Sequence, residues 1–304
     1  MITNLTQRAI PPARQPRGRR RGAVNLRAAL LGVALGTVAG LGALYLVTPM
    51  LTKTSAAPPS AAELPAFDVP VSPTVEPEPV PPKPQVDLAR LNDLLQDAAG
   101  KIQGDVAIHV RLEGGVHAGV RADEPMPAAS VIKLPIMVVL HDAWHAGTLQ
   151  RTEKDAEQAR QAITVSDNPA ADWLIDRLGM SQINSWLEDH GYPHTRVRHK
   201  MAGPQREGPN LITAAEMTRM LLEIASGTLV SAEASAEMRE VLLAQTRRTR
   251  IPAGLPEGVT VGNKTGTLRG ITNDVAFVET PEGLRYAIAV LVANGGEDVP
   301  TSRR

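Results

Sequence analysis

The alternation of apolar and polar positions divides the chain into segments before any residue is considered for chemistry. Residues 28–47 carry no charge, and their apolar run AALLGVALGTVAGLGALYLV is broken only by small residues and one threonine. Twenty residues at 1.5 Å each rise about 30 Å, the thickness of a bilayer's hydrocarbon core, so the pattern predicts one membrane-spanning helix. A periodic pattern resumes only at 87. Leu88, Leu91, Leu94 and Leu95 have helical spacing, with Asp87 placed to cap. Two alternating runs, 106–112 and 116–121, flank Gly114-Gly115 and predict a β-hairpin. Helical patterns then dominate from 130 to about 245, and strand patterns return at 259–264, 274–278 and 286–293. Strands at both ends of this stretch with helices between predict an α/β domain. Its single sheet would be closed by the two ends, with the helices as an insertion.

Composition changes the picture at the N-terminal side. Residues 52–86 hold ten prolines, which remove backbone donors and fix φ, so this stretch is expected to be an extended tether of roughly 3 Å per residue. The 304 residues contain 32 basic and 32 acidic side chains, and this balance argues against nucleic acid as a partner. The balance hides a basic tail: residues 1–27 carry seven arginines and no acid. Positive charge on that side alone predicts a cytoplasmic N-terminus and an extracytoplasmic domain. The expected organisation is therefore a basic tail (1–27), a single anchor in the cell membrane (28–47), a Pro-rich linker (52–86) and a folded domain (87–304). A cleaved secretory signal is the rival reading, but its apolar core would exceed the usual ~7–15 residues. Absence of cysteine excludes disulfides, thiol nucleophiles and thiolate metal sites. The seven histidines show no H-E-x-x-H spacing, so no metal and no cofactor are expected.

Three clusters remain that could carry chemistry. Ser130-Val131-Ile132-Lys133 opens an apolar helical run, and residues i and i+3 share a helix face, which sets an amine beside a hydroxyl. Apolar neighbours and the helix start both favour the neutral amine, a base able to activate serine. Ser166-Asp167-Asn168 falls between two helical patterns. It reads either as a helix cap before Pro169 or as a proton relay (Ser166) with an amide-binding group (Asn168). Lys264-Thr265-Gly266 ends a strand pattern. It reads as a strand entering a turn, or as a cationic, hydroxyl-bearing edge for a substrate carboxylate. In the latter, Gly266 would let a substrate backbone lie close, and the Thr267 amide could donate to an oxyanion.

Each cluster alone is modest; in this order they resemble the S-x-x-K, S-D-N and K-T-G set of class A serine β-lactamases and penicillin-binding proteins. The likeness continues through AASVIKLPI, ITVSDNPAADWLIDRLG, NLITAAEM and GLPEGVTVGNKTGT. It implies a three-layer β-lactamase/transpeptidase-like fold with Ser130 as acylated nucleophile and Lys133 as its proton acceptor. Ser166 would carry a proton to the leaving nitrogen and Asn168 would meet the acylamido side chain. Lys264 and Thr265 would anchor the substrate carboxylate, and the amides of Ser130 and Thr267 would form the oxyanion hole.

The departures from that pattern are specific. Only 36 positions separate Ser130 from Ser166, which implies a reduced helical insertion and a more open cleft. The E-x-x-x-N of the class A Ω-loop, whose glutamate activates the deacylating water, has no counterpart in TRVRHKMAGPQREGPN; its place falls near 200–202. Glu207 is the one loop carboxylate available as a substitute base. Only eleven residues follow the last strand pattern, so the helix at 87–102 is expected to cover one sheet face alone. These features favour an extracytoplasmic serine hydrolase opening β-lactams through an acyl-enzyme. The alternatives are a D-alanyl-D-alanine carboxypeptidase or esterase acting on cell-wall peptides, and a non-catalytic envelope protein retaining the fold.

Overall fold

The computed structural model describes residues 86–204 and 206–295. The basic tail, the apolar stretch and all of the Pro-rich linker except Val86 lie outside the described residues. Helix α1 (Leu88–Gly100) begins as its sequence indicates: Asp87 accepts from the Arg90 amide at 3.0 Å, and Leu91, Leu95 and Ala98 form the buried stripe. Strands β1 (Asp105–Leu112) and β2 (His117–Val120) make the hairpin, with Gly114 and Gly115 supplying φ of +95° and +91°. The short strand β3 (Met126–Pro127) leads into a 3₁₀ turn (Ala129–Ile132), and that turn into α2 (Lys133–His145). Every residue of α2 from Lys133 to His141 is buried, the mark of a helix surrounded on all sides.

Helices α3 (Glu153–Thr164), α4 (Asn168–Leu178) and α5 (Met180–Asp189) pack around α2 and form the predicted insertion. A loop through 190–210 then reaches β4 (Leu211–Ile212), α6 (Ala214–Ala225) and α7 (Ala232–Leu243). Strands β5 (Thr260–Leu268), β6 (Ile271–Glu279) and β7 (Arg285–Ala293) complete the sheet, in the order β2-β1-β7-β6-β5 and antiparallel throughout. The last strand pairs with the first, so the two ends of the domain close one sheet as expected.

Alternation along the strands sends side chains to two cores. On one face Ala107, Val275, Phe277, Ala287, Ala289 and Leu291 meet α2, α6 and α7. On the other, Ile108, Val110, Ala276, Val278, Ile288 and Val290 join Leu91 and Leu95 of α1. Helix α1 is not alone there, as the sequence reading had it: Ile251 belongs to this second core, and Leu255, Val259 and Leu284 pack against it. The β3–β4 pair (Met126 opposite Ile212) was not anticipated, because two-residue strands leave no alternation to read.

Candidate active site

The three clusters converge where α2, α4 and β5 meet. Ser130 sits in the 3₁₀ turn rather than in the α-helix itself, and Lys133 is the first residue of α2. In 3₁₀ geometry residues i and i+3 eclipse, so the backbone sets Ser130 and Lys133 on one face, while the Lys133 amine itself bonds to Ser166 and Asn168. Ala129 has a φ of +46°, sterically costly for a residue with a Cβ and immediately before Ser130. Asn273 on β6 fixes the approach to this turn. Its amide donates to the Pro127 carbonyl at 2.8 Å and the Ala128 carbonyl at 3.1 Å, while its oxygen accepts from the Val292 amide at 3.0 Å.

Ser166 joins the two lysines. Its φ of +64° turns its carbonyl and hydroxyl to the same side: Lys133 Nζ donates to the carbonyl at 2.7 Å, and Lys264 Nζ donates to the hydroxyl at 3.0 Å. Lys133 Nζ also donates to Asn168 Oδ1 at 2.7 Å. The cap reading of Ser166-Asp167-Asn168 holds, because Asp167 caps α4 by accepting from the Ala170 amide at 2.7 Å. Burial lowers the Lys133 pKa to about 8, partly offset by the charges of Asp167 and Asp172. Lys264, fully buried, is pushed well below the ordinary lysine range by desolvation and then by the charge of Lys133.

On β5, Lys264 also donates to the Thr265 carbonyl at 2.7 Å. Gly266 makes a close approach to the protein's own turn. A Cβ at Gly266 would stand 2.8 Å from the Ala128 carbonyl oxygen and 3.2 Å from the Ala129 Cβ. Glycine here lets β5 press against the turn that carries Ser130. Thr267 is held by Arg250, whose Nη2 donates to Thr267 Oγ1 at 2.6 Å while Nη1 donates to the carbonyls of Asn273 (2.6 Å) and Gly266 (3.2 Å). Beneath it Asp274 accepts from the Ile251 amide and from Asn263, and burial raises its pKa to about 6. Arg250, Asn273 and Asp274 were absent from the sequence reading. Their signal, an arginine run before the strand and two polar residues in a buried strand, has meaning only once β5 and β6 are paired.

Glu207 is not brought to this cluster. It is exposed and lines a shallow pocket of about 260 Å³ with Arg198, His199 and Lys200, and its carbonyl accepts from Arg198 Nη1 at 3.2 Å. The loop is instead fastened by Asp172, one helical turn beyond Asn168. Its carboxylate accepts from the Met201 amide at 2.5 Å and the Ala202 amide at 3.2 Å. Asn210 closes the same loop through the amides of Arg198 and His199. Among the described residues, the carboxylates whose charge acts on Lys133 are therefore those of Asp167 and Asp172, not one from the loop.

A sheet closed by both ends of the described domain, a helical insertion, and two buried lysines beside the half-buried Ser130 and Ser166 are the features of the class A serine β-lactamase-like superfamily. The profile of the β-lactamase enzyme family matches residues 89–155 and 156–303, and the chain belongs to that family. β-Lactamase FAR-1 of Nocardia farcinica (strain IFM 10152) is 31% identical over 153 residues, 45% of this chain and 46% of the relative. The chain thus spans about half the length of the first curated relatives it matches. The β-lactamase regulatory protein BlaB of Streptomyces cacaoi is 23% identical over 277 residues, 67% of this chain and 88% of the relative. Among solved structures, PBP-A superposes with a TM-score of 0.63 at 25% identity, covering 69% of this chain and 89% of PBP-A. The β-lactamase from Sphaerobacter thermophilus DSM 20745 gives 0.59 at 27% identity, covering 66% and 87%.

Proposed function

We propose that the chain is a membrane-tethered, extracytoplasmic serine hydrolase of β-lactamase type that is acylated at Ser130 by β-lactams and releases the acyl group slowly. The observation that carries this reading is the position of Lys133. Its buried amine, with a pKa of about 8, is neutral in an appreciable fraction of molecules near neutral pH, one helical step from the serine hydroxyl. The neutral amine takes the Ser130 proton as Oγ attacks the lactam carbonyl, and the resulting oxyanion is met by the amides of Ser130 and Thr267. When the C–N bond opens, Ser166 passes a proton to the nitrogen, its hydroxyl already being in hydrogen-bond contact with Lys264. A substrate carboxylate entering beside Lys264, Thr265 and Arg250 supplies the counter-charge that returns Lys264 to its cationic form.

Slow release follows from the loop. Where class A enzymes set a glutamate to activate water, Met201 gives its amide to Asp172, and Glu207 stands apart at the surface. The same observation favours a second reading, a penicillin-binding carboxypeptidase or esterase acting on cell-wall peptides. The basic tail and apolar stretch support a single-pass anchor with a cytoplasmic N-terminus. The test is labelling of the full-length chain in detergent with a fluorescent penicillin, alongside turnover of a chromogenic cephalosporin. We expect a stable label on the wild type, none on Ser130→Ala, and slow cephalosporin turnover. A label indifferent to Ser130 would overturn the acyl-enzyme, and fast Ser130-dependent turnover would overturn the slow release.

A further inference from the structure

A second cluster of reactive side chains lies at the opposite edge of the sheet, on β1 and β2. His109 on β1 is 98% buried by relative area: it is only 2% exposed, while His117 on β2 stands in solvent. The register pairs His109 with Gly119, so His117 is its diagonal neighbour across the hairpin. Two contacts fix the His109 ring. A Cβ at Gly119 would come within 2.9 Å of His109 Cδ2, so only glycine leaves room for the imidazole. His109 Nδ1 lies 2.5 Å from Thr218 Oγ1 on α6, and the Thr218 hydroxyl donates its one proton to the Ala215 carbonyl at 2.9 Å. Thr218 therefore accepts from His109, which places the ring proton on Nδ1 and leaves Nε2 as a lone-pair donor.

That lone pair faces His117 Nδ1 across 3.3 Å. Two imidazole nitrogens bound to one tetrahedral ion at about 2.05 Å each stand about 3.3 Å apart, so an ion replacing the proton between these rings would need no change in their separation. The Nδ1–H to Thr218 is the outer hydrogen bond that orients a ligating histidine and raises its basicity. The pair opens into a cavity of about 620 Å³ in which the charges of Arg111 and Arg121 are balanced by those of Asp123 and Glu124. Among the described residues no three His, Cys, Asp or Glu side chains converge, so water from the cavity would fill the other coordination positions.

We propose that His109 Nε2 and His117 Nδ1 form a two-point site for a divalent transition-metal ion, separate from the Ser130 cluster and independent of the reaction assigned to it. Three strands separate β2 from β5, an edge-to-edge distance of roughly 19 Å at about 4.8 Å per strand step. The site would favour borderline ions suited to imidazole, in the order Cu²⁺ above Ni²⁺ and Zn²⁺, and would ignore Mg²⁺ and Ca²⁺.

The test is calorimetric titration of tag-free full-length chain, in detergent at pH 7.5, with each of these ions alone. We expect one Cu²⁺ or Zn²⁺ per chain at micromolar concentrations, and binding at least tenfold weaker in His117→Ala, an exposed edge position where folding is not at stake. Thr218→Val, which removes the acceptor that fixes the tautomer, should weaken binding by a smaller factor. The Cu²⁺ complex should show two-nitrogen hyperfine structure in its electron paramagnetic resonance spectrum, lost in His117→Ala. Wild-type affinity retained in His117→Ala, or no saturable binding below 1 mM, would show the pair to be only a histidine–histidine hydrogen bond.

Discussion

At Lys133, burial and hydrogen bonding act against each other. Desolvation favours the neutral amine, while the carbonyl of Ser166 and the amide oxygen of Asn168, both acceptors, and the charges of Asp167 and Asp172 favour the ammonium. Burial is the larger effect, and the pKa settles at about 8. The neutral form is the base, so below that value each unit of pH removes about tenfold of it. Acylation of Ser130 should rise about tenfold from pH 6 to pH 7, bend near 8 and level off above it, measured as the rate of fluorescent penicillin labelling. Lys133→Arg keeps a cation but supplies no base near neutrality, and labelling should fall to background. A profile flat between pH 6 and 8 would remove Lys133 from the proton's path. The placement of Ser130 and Lys133 on one face was legible in the sequence because its spacing is local. The second lysine's contact with Ser166 spans 98 positions and was legible only through the family motif.

At the level of elements, α4 does more than cap the S-D-N turn. Asp172 and Asp176, four residues apart on one helix face, hold the 198–204 loop. Asp172 takes two loop amides, and Asp176 takes the Lys200 ammonium at 2.5 Å. In the sequence these aspartates looked like the polar face of an amphipathic helix, because nothing local shows that a distant loop returns to them. The helices and long strands were legible from their periodicity and caps. The loop's path and the β3–β4 ladder, which ties Asn210 to the Ala128 amide at 2.8 Å, come from long-range pairing. Asp172 also raises the Lys133 pKa, so Asp172→Asn should move the labelling profile to lower pH while leaving its plateau nearly unchanged. Asp172→Ala, which also frees the loop amides, should shift the profile in the same direction and cost about 1–3 kcal/mol of stability by thermal unfolding. Loss of labelling without any shift of the profile would make Asp172 a structural tether alone.

Across the whole molecule, the sheet separates the core that supports the chemistry from one that only stabilises it. Leu95 is fully buried with Ile108 and Val290 on the α1 side, and the sheet lies between it and Ser130. Leu95→Ala should leave a cavity costing about 2–5 kcal/mol, with the labelling rate of the folded fraction unchanged. Asn273 crosses that division, linking the carbonyls before Ser130 to the amide of the last strand. Asn273→Ala leaves the buried Val292 amide without its partner and removes a donor from the carbonyls of Pro127 and Ala128, releasing the turn whose placement aims the nucleophile, at a cost of about 1–3 kcal/mol for an unpaired group. It should lower both the melting temperature and the labelling rate measured well below it. If the two variants reduced labelling equally at equal loss of stability, the sheet would not insulate the site. Catalytic competence would then follow global stability instead of the anchoring of one turn.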